Sequence, residues 1–154
     1  LNPTTRERRN VDHVAARGIE LTAIARAGDV SLTASYAYSH SRVHAPGTAF
    51  DGFAPAQSPR HAASTTLGWA PAQGPSLTAT LRYVSRQFED DLQSDILPAA
   101  LTLDATAQLP LGNGVTLTTR GENLFDERVV TRNAGGSIDL GTPRTLWIGL
   151  RIAR

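Results

Sequence analysis

Val30-Ser31-Leu32-Thr33-Ala34-Ser35-Tyr36-Ala37-Tyr38 is the stretch that decides the fold. Val30, Leu32, Ala34, Tyr36 and Tyr38 share one phase, while Ser31, Thr33, Ser35 and Ala37 occupy the other. Side chains of an extended backbone alternate between two faces, so this period of two predicts a strand with one apolar, aromatic face and one small, hydroxylic face. The same pattern recurs in Ser76-Leu77-Thr78-Ala79-Thr80-Leu81-Arg82-Tyr83 and in Leu101-Thr102-Leu103-Asp104-Ala105-Thr106-Ala107-Gln108-Leu109. Weaker alternation covers about 15 to 26, 60 to 70, 115 to 125 and 143 to 152, giving about seven strands of roughly ten residues. No stretch has helical periodicity.

The connections between these strands alternate in length. Ala27-Gly28-Asp29, Pro71-Ala72-Gln73-Gly74-Pro75 and Gly112-Asn113-Gly114 are tight and rich in turn formers, so each closes a hairpin. Between them lie irregular segments at about 43 to 59, 89 to 97 and 126 to 141, rich in Gly, Pro, Asp, Ser and Asn. In an up-and-down antiparallel sheet this places every short turn on one rim and every long loop on the other. Transmembrane barrels have that asymmetry, with short periplasmic turns and long external loops. In this reading Ile19, Leu21, Leu77, Leu81, Leu101 and Leu103 meet lipid, while Glu20, Arg82, Asp104, Arg120 and Glu122 face a wet lumen. Tyr36, Tyr38, Tyr83, Phe88 and Phe125 near the long loops, with Trp69 near a tight turn, would form two aromatic girdles. Trp147 stays unassigned, because Leu146, Ile148, Leu150 and Ile152 occupy the opposite phase. A soluble β-sandwich binding module, with these apolar faces packed between two sheets, remains the alternative.

Composition removes other classes. The 154 residues are 40% hydrophobic and 19% charged, as in chains that fold, and the net charge is +1 with every basic residue an arginine. A near-neutral balance without a basic cluster gives no footprint for nucleic acid. The absence of cysteine excludes disulfides and thiolate metal sites. No apolar run approaches the roughly 20 residues of a membrane-spanning helix. There is no G-x-S-x-G elbow, no lysine or cysteine, no H-E-x-x-H and no phosphate-cradling glycine loop, and Gly135-Gly136-Ser137 lacks a strand and helix around it. The chain is therefore expected not to be an enzyme. Seven strands cannot close a barrel, since an open edge in lipid leaves backbone groups unsatisfied. With no initiator methionine or signal pattern at Leu1-Asn2-Pro3, the expectation is a fragment of a longer protein.

Several residues are candidates for ligand contact on the long loops: His44, Asp51, Glu89, Asp90, Asp91, Asp95, Arg132 and Asn133. The acidic run could wrap a hard cation, but its spacing matches no EF-hand-like loop, and a solvated loop is the simpler reading. His40 and His44 are four apart, a helical spacing that a strand does not bring together, so no metal site is expected. The lumen-phase charges, with Arg86, could guide an anion, but simple hydration of the wall is the favoured reading.

Arg82-Tyr83-Val84, then Phe88-Glu89-Asp90-Asp91, Leu97-Pro98 and Asp104 resemble the last strands of TonB-dependent receptors. The resemblance sharpens at Glu122-Asn123-Leu124-Phe125-Asp126, similar to the family's E-N-L-F-D element, and at Gly141-Thr142-Pro143-Arg144-Thr145, similar to its G-x-P-R-T element. Upstream, Asn10 with Arg17-Gly18-Ile19-Glu20-Leu21 resembles its N-x-R-G-x-E-L stretch, and Ser58-Pro59-Arg60-His61 its S-P-x-H opening. The resemblance implies an all-β fold, the C-terminal segment of a 22-stranded outer-membrane barrel of a Gram-negative bacterium, with residues 1–154 all barrel and the N-terminal plug domain absent. It implies import of a scarce nutrient, siderophore-bound iron or cobalamin among them, with energy relayed by TonB and no cofactor. The implied partners are the outer-membrane bilayer, the plug and remaining strands, TonB through the absent N-terminal region, and the barrel assembly machinery. Two departures stand out: Ile152-Ala153-Arg154 replaces the terminal aromatic, and Arg128-Val129-Val130 follows where the family often has an aromatic. A passive porin or translocator barrel would share the strands but not these motifs.

Overall fold

The computed structural model describes residues 13–153. Asn10 of the upstream motif and the chain end at Arg154 therefore lie outside the described residues. Seven strands form one antiparallel sheet in chain order: β1 (His13–Ala27), β2 (Val30–His44), β3 (His61–Trp69), β4 (Ser76–Val84), β7 (Ala100–Gly112), β8 (Val115–Glu122) and β11 (Thr145–Ile152). The up-and-down topology expected from the sequence is present, and all described residues are strand, turn or coil.

Two of the segments expected to be irregular are not. The connection from β4 to β7 holds a small ladder, β5 (Gln87–Phe88) with β6 (Ile96–Leu97), and the one from β8 to β11 holds a hairpin, β9 (Val130–Ala134) with β10 (Ser137–Leu140). The second turns on Gly135 and Gly136, whose φ values of 60° and 79° suit a two-residue hairpin turn. Strands of two to five residues are too short for alternation to register in sequence.

The short turns are built as their residues require. At the β7–β8 turn, Gly112, Asn113 and Gly114 all have positive φ. A Cβ on Gly114 would stand 2.1 Å from the Ala153 carbonyl oxygen, so only glycine lets the end of β11 close against this turn through the Ala153 N–H to Gly114 carbonyl bond of 2.8 Å.

Register sorts the side chains without ambiguity, because residues directly opposite in an antiparallel pair share a face. Ile19, Leu21, Tyr36, Tyr38, Ala63, Leu67, Trp69, Leu77, Leu81, Tyr83, Leu101, Leu103, Leu117, Ile148 and Leu150 fall on one phase. Glu20, Thr33, Thr66, Thr80, Arg82, Asp104, Arg120 and Glu122 fall on the other. Trp147 sits opposite Arg120, which assigns it to the polar phase. Among the described residues nothing covers the apolar phase: Ile148 is 78% and Leu146 71% exposed. The hydrophobic residues buried among those described are Val43, Ala45 and Leu97, at the loop-bearing rim. A β-sandwich would pack a second sheet against Leu and Tyr; here the other two sheets have two strands each. Nor is the apolar phase a random surface. From Val30, opposite Trp69, to Tyr38 is about 26 Å of strand, or ~20 Å of depth at a tilt of roughly 40°, close to the apolar band of a barrel wall.

Candidate ligand-facing rim

The long connections converge above β2, β3, β4, β7 and β8. Loop 45–60 folds back on β2, where the Val43 N–H donates to the Phe53 carbonyl and the Gly52 N–H to the Val43 carbonyl, each at 2.9 Å. It then meets the β5–β6 segment. The Gln57 N–H donates to the Phe88 carbonyl at 2.7 Å, the Gln57 side chain to Glu89 at 3.3 Å, and the Ala56 N–H to the Asp91 carboxylate at 3.2 Å. The β9–β10 hairpin joins through Asn133, whose amide donates to the Ile96 carbonyl at 3.2 Å. These bonds tie three chain-distant segments into one rim.

The acidic run therefore grips neighbouring backbone. Asp90 caps its own turn: its oxygens accept the Leu92 N–H, the Ser94 hydroxyl and the Asp95 N–H, all at 2.9 Å. Burial pushes the Asp90 carboxyl up, but these bonds together outweigh it and hold the group below the usual carboxylate range. Asp51 accepts the Ala45 N–H at 2.8 Å and stands 3.9 Å from His44 Nδ1. Arg132 faces Asp139 across β9–β10 at 3.5 Å. Among the described residues no three His, Asp or Glu side chains are grouped to hold a metal.

What the rim does form is a cationic cleft. Arg42 at the top of β2, Arg60 before β3 and Arg86 after β4 line a cavity of about 410 Å³ with Phe53, Phe88 and Gln87. The Gln87 side-chain oxygen is buried there without a hydrogen-bond partner. The sequence reading singled out neither Arg42 nor Gln87; their common signal is position, since the cleft residues flank strand ends that converge on one rim. The loop candidates His44, Asp51, Glu89, Asp90, Asp91, Asp95, Arg132 and Asn133 all lie outside its lining.

Below the rim, the polar-phase charges pair off. Arg82 binds Asp104 and Arg120 binds Glu122 through their guanidinium and carboxylate groups. Glu20 stands apart from both pairs on β1, opposite Ala37. Asp104 also accepts the Asn123 N–H at 2.9 Å, linking the wall to the next structural unit.

That unit explains the two sharpest motifs. Asn123 is 4% exposed with φ of 48°. Its amide nitrogen donates to the Glu127 carbonyl at 2.9 Å and the Thr142 carbonyl at 3.0 Å, and its amide oxygen accepts the Glu127 N–H at 2.9 Å. The Leu124 N–H reaches the Leu103 carbonyl at 2.7 Å, and the Leu124 side chain fills the space a Cβ on Gly121 would need. Asp126 accepts the Arg144 N–H at 3.2 Å and its guanidinium at 3.1 Å. Arg144 thus has the partner that sequence could not supply. Glu122 pairs with Arg120, Phe125 is 52% exposed, Gly141 donates its N–H to the Val129 carbonyl, and Thr145 opens β11 opposite Glu122. Together these residues pin the two ends of the β8–β11 connection to each other.

The family model described as TonB dependent receptor-like, beta-barrel matches residues 2–124, and the chain belongs to that family of transport receptors. The match ends inside the E-N-L-F-D element, so the G-x-P-R-T resemblance rests on the residues themselves. No curated protein matches the sequence. Among solved structures, the ferric yersiniabactin uptake receptor FyuA from Yersinia pestis is 22% identical, with a TM-score of 0.80 over 90% of this chain and 23% of that one. The siderophore receptor PiuA from Acinetobacter baumannii is 19% identical, with a TM-score of 0.78 over 89% and 21%. BauA, the ferric preacinetobactin receptor from Acinetobacter baumannii, is 23% identical, with a TM-score of 0.74 over 89% and 22%. The chain spans between a fifth and a quarter of the length of these receptors. At such identities the likeness establishes the fold: the seven-stranded sheet is a piece of barrel wall.

Proposed function

We propose that this chain is the C-terminal wall and rim of an outer-membrane receptor of a Gram-negative bacterium. That receptor captures an anionic metal chelate of the siderophore type and imports it with energy supplied by TonB. The observation that carries the ligand class is the cleft of Arg42, Arg60 and Arg86. Three guanidiniums around about 410 Å³ suit an anion of small-molecule size, because arginine binds carboxylate and phenolate oxygens through paired N–H groups and ligand sites span roughly 300–1,000 Å³. Phe53 and Phe88 add the apolar walls such sites use. A plug, the remaining strands and the TonB contact belong to the rest of the receptor. Cobalamin, which lacks a strong negative charge, fits the cleft less well, and a passive porin is disfavoured by the receptor family match.

The test is uptake of radioactive iron by cells whose only receptor carries this chain, supplied with ferric siderophores of graded negative charge. Uptake should require TonB and fall at least tenfold in the R42Q/R60Q/R86Q variant, with the barrel still assembled. Equal uptake without TonB would overturn the transport reading, and unchanged uptake in the variant would overturn the anionic ligand.

A further inference from the structure

The outward phase changes character abruptly near the rim. Following β1 and β2 upward in register, Leu21 stands beside Tyr36 and Ile19 beside Tyr38; the next rungs pair Arg17 with His40, Ala15 with Arg42 and His13 with His44. Below Arg17 and His40, the outward phase of β1 to β4 carries no acid and no arginine. Above, Arg42 lines the cleft under loop 45–60 and Asp51 stands 3.9 Å from His44, while the rings of His13 and His44 lie 4.6 Å apart. Arg17, Gly18, Ile19, Tyr38 and His40 line one shallow groove. A two-residue step is about 7 Å of strand, ~5 Å of depth at the barrel tilt. This lifts Arg17 and His40 from the aromatic girdle into the polar layer, which adds roughly 5–7 Å to each side of the hydrocarbon core.

We propose that this rung is a binding site for the phosphorylated headgroup of a glycolipid in the outer leaflet. Arg17 forks the phosphate, and His40 offers a ring N–H that it has in either tautomer. Ile19 and Tyr38, one step lower, receive the first part of an acyl chain. The proposal rests on the barrel reading above. Escape of an arginine to water would explain Arg17 alone. It would not explain two donors side by side directly over an apolar pair, on a phase without carboxylates: that pattern complements an anion in the membrane plane, whereas a zwitterionic headgroup would be matched by mixed charge.

The test uses the complete receptor in detergent, titrated with lipid A and with the same lipid stripped of its phosphates, binding being counted by native mass spectrometry. The phosphorylated form should bind at least tenfold more tightly. R17Q should abolish about tenfold of the affinity, R17Q/H40Q more, and Arg17→Lys should restore part of it. Heat-modifiable migration of each variant on unboiled gels reports that the barrel is intact. Binding that ignores the phosphates, or is unchanged in R17Q with an intact barrel, overturns the headgroup site alone. A receptor that stays monomeric without detergent overturns the barrel reading and this site with it.

Discussion

Replacing Asn123 with Ala removes three side-chain hydrogen bonds: two donated to the Glu127 and Thr142 carbonyls and one accepted from the Glu127 N–H. At about 1 kcal/mol net each, their loss costs roughly 3 kcal/mol. Alanine must also adopt the φ of 48° that Asn123 holds, which costs a residue without a locally bonding side chain roughly 1 kcal/mol more. Asn123→Gly removes the bonds but tolerates the backbone. The local opening free energy should therefore fall by about 4 kcal/mol in the first variant and about 3 in the second, a thousandfold and somewhat over a hundredfold in opening constant. Amide hydrogen exchange of the Leu124, Glu127 and Arg144 N–H groups in the intact receptor, under conditions where reclosing outpaces exchange, reads these factors directly. If the two variants exchange equally fast, backbone strain plays no part. If neither exchanges faster than the parent, Asn123 does not pin the connection and the account of both motifs fails.

Neighbouring residues of β11 should differ sharply toward arginine. Ile148→Arg, on the apolar phase in the middle of β11 and opposite Thr119, should cost about 2–4 kcal/mol, while Gly149→Arg, whose Cβ would meet nothing within 4 Å, should assemble almost normally; the heat-modifiable fraction distinguishes them. Gly114→Ala should separate the end of β11 from the β7–β8 turn, because its Cβ would sit 2.1 Å from the Ala153 oxygen; this should appear as increased protease cleavage near residue 113 and less folded barrel. The Asp90 carboxyl titrates below its ordinary value in the folded protein, so the stability it adds is fully present above the ordinary pKa and is lost as pH falls through the depressed one. Pepsin should therefore cut within residues 89–95 increasingly as pH drops from 4 toward 2, whereas Asp90→Asn should be cut at both pH values.

Much of the wall was legible because lipid imposes the simplest pattern a strand can have. Leu77, Leu81, Leu101 and Leu103 alternate with Thr, Arg and Asp, and a register slip of one residue would turn every charge toward hydrocarbon. Where that pressure ends, legibility ends too. β2 runs on to His44, but from Ser39 to Arg42 both phases are polar or basic and the alternation fades. The β9–β10 hairpin escaped notice because Thr131, Arg132, Asn133 and Asp139 answer to water on both faces. The Arg42, Arg60 and Arg86 cleft could not be read at all, since it depends on how loop 45–60 folds back. Conversely, Glu122 to Asp126 and Gly141 to Thr145 were recognisable as motifs, yet their reason lies in bonds spanning 18 and 19 residues, which only the folded chain brings together.

The pinned connection has a consequence for how such a receptor can change. Because Asn123 holds Thr142 and Asp126 holds Arg144, the entry and exit of the intervening segment are fixed to each other independently of what lies between. β9 and β10 can then lengthen, shorten or be exchanged for another sequence without shifting β8 against β11. The structure separates the part of the chain that must satisfy the bilayer from the part that can be rewritten for a new environment, and a graft between these two anchors should carry its surface chemistry into an unaltered wall.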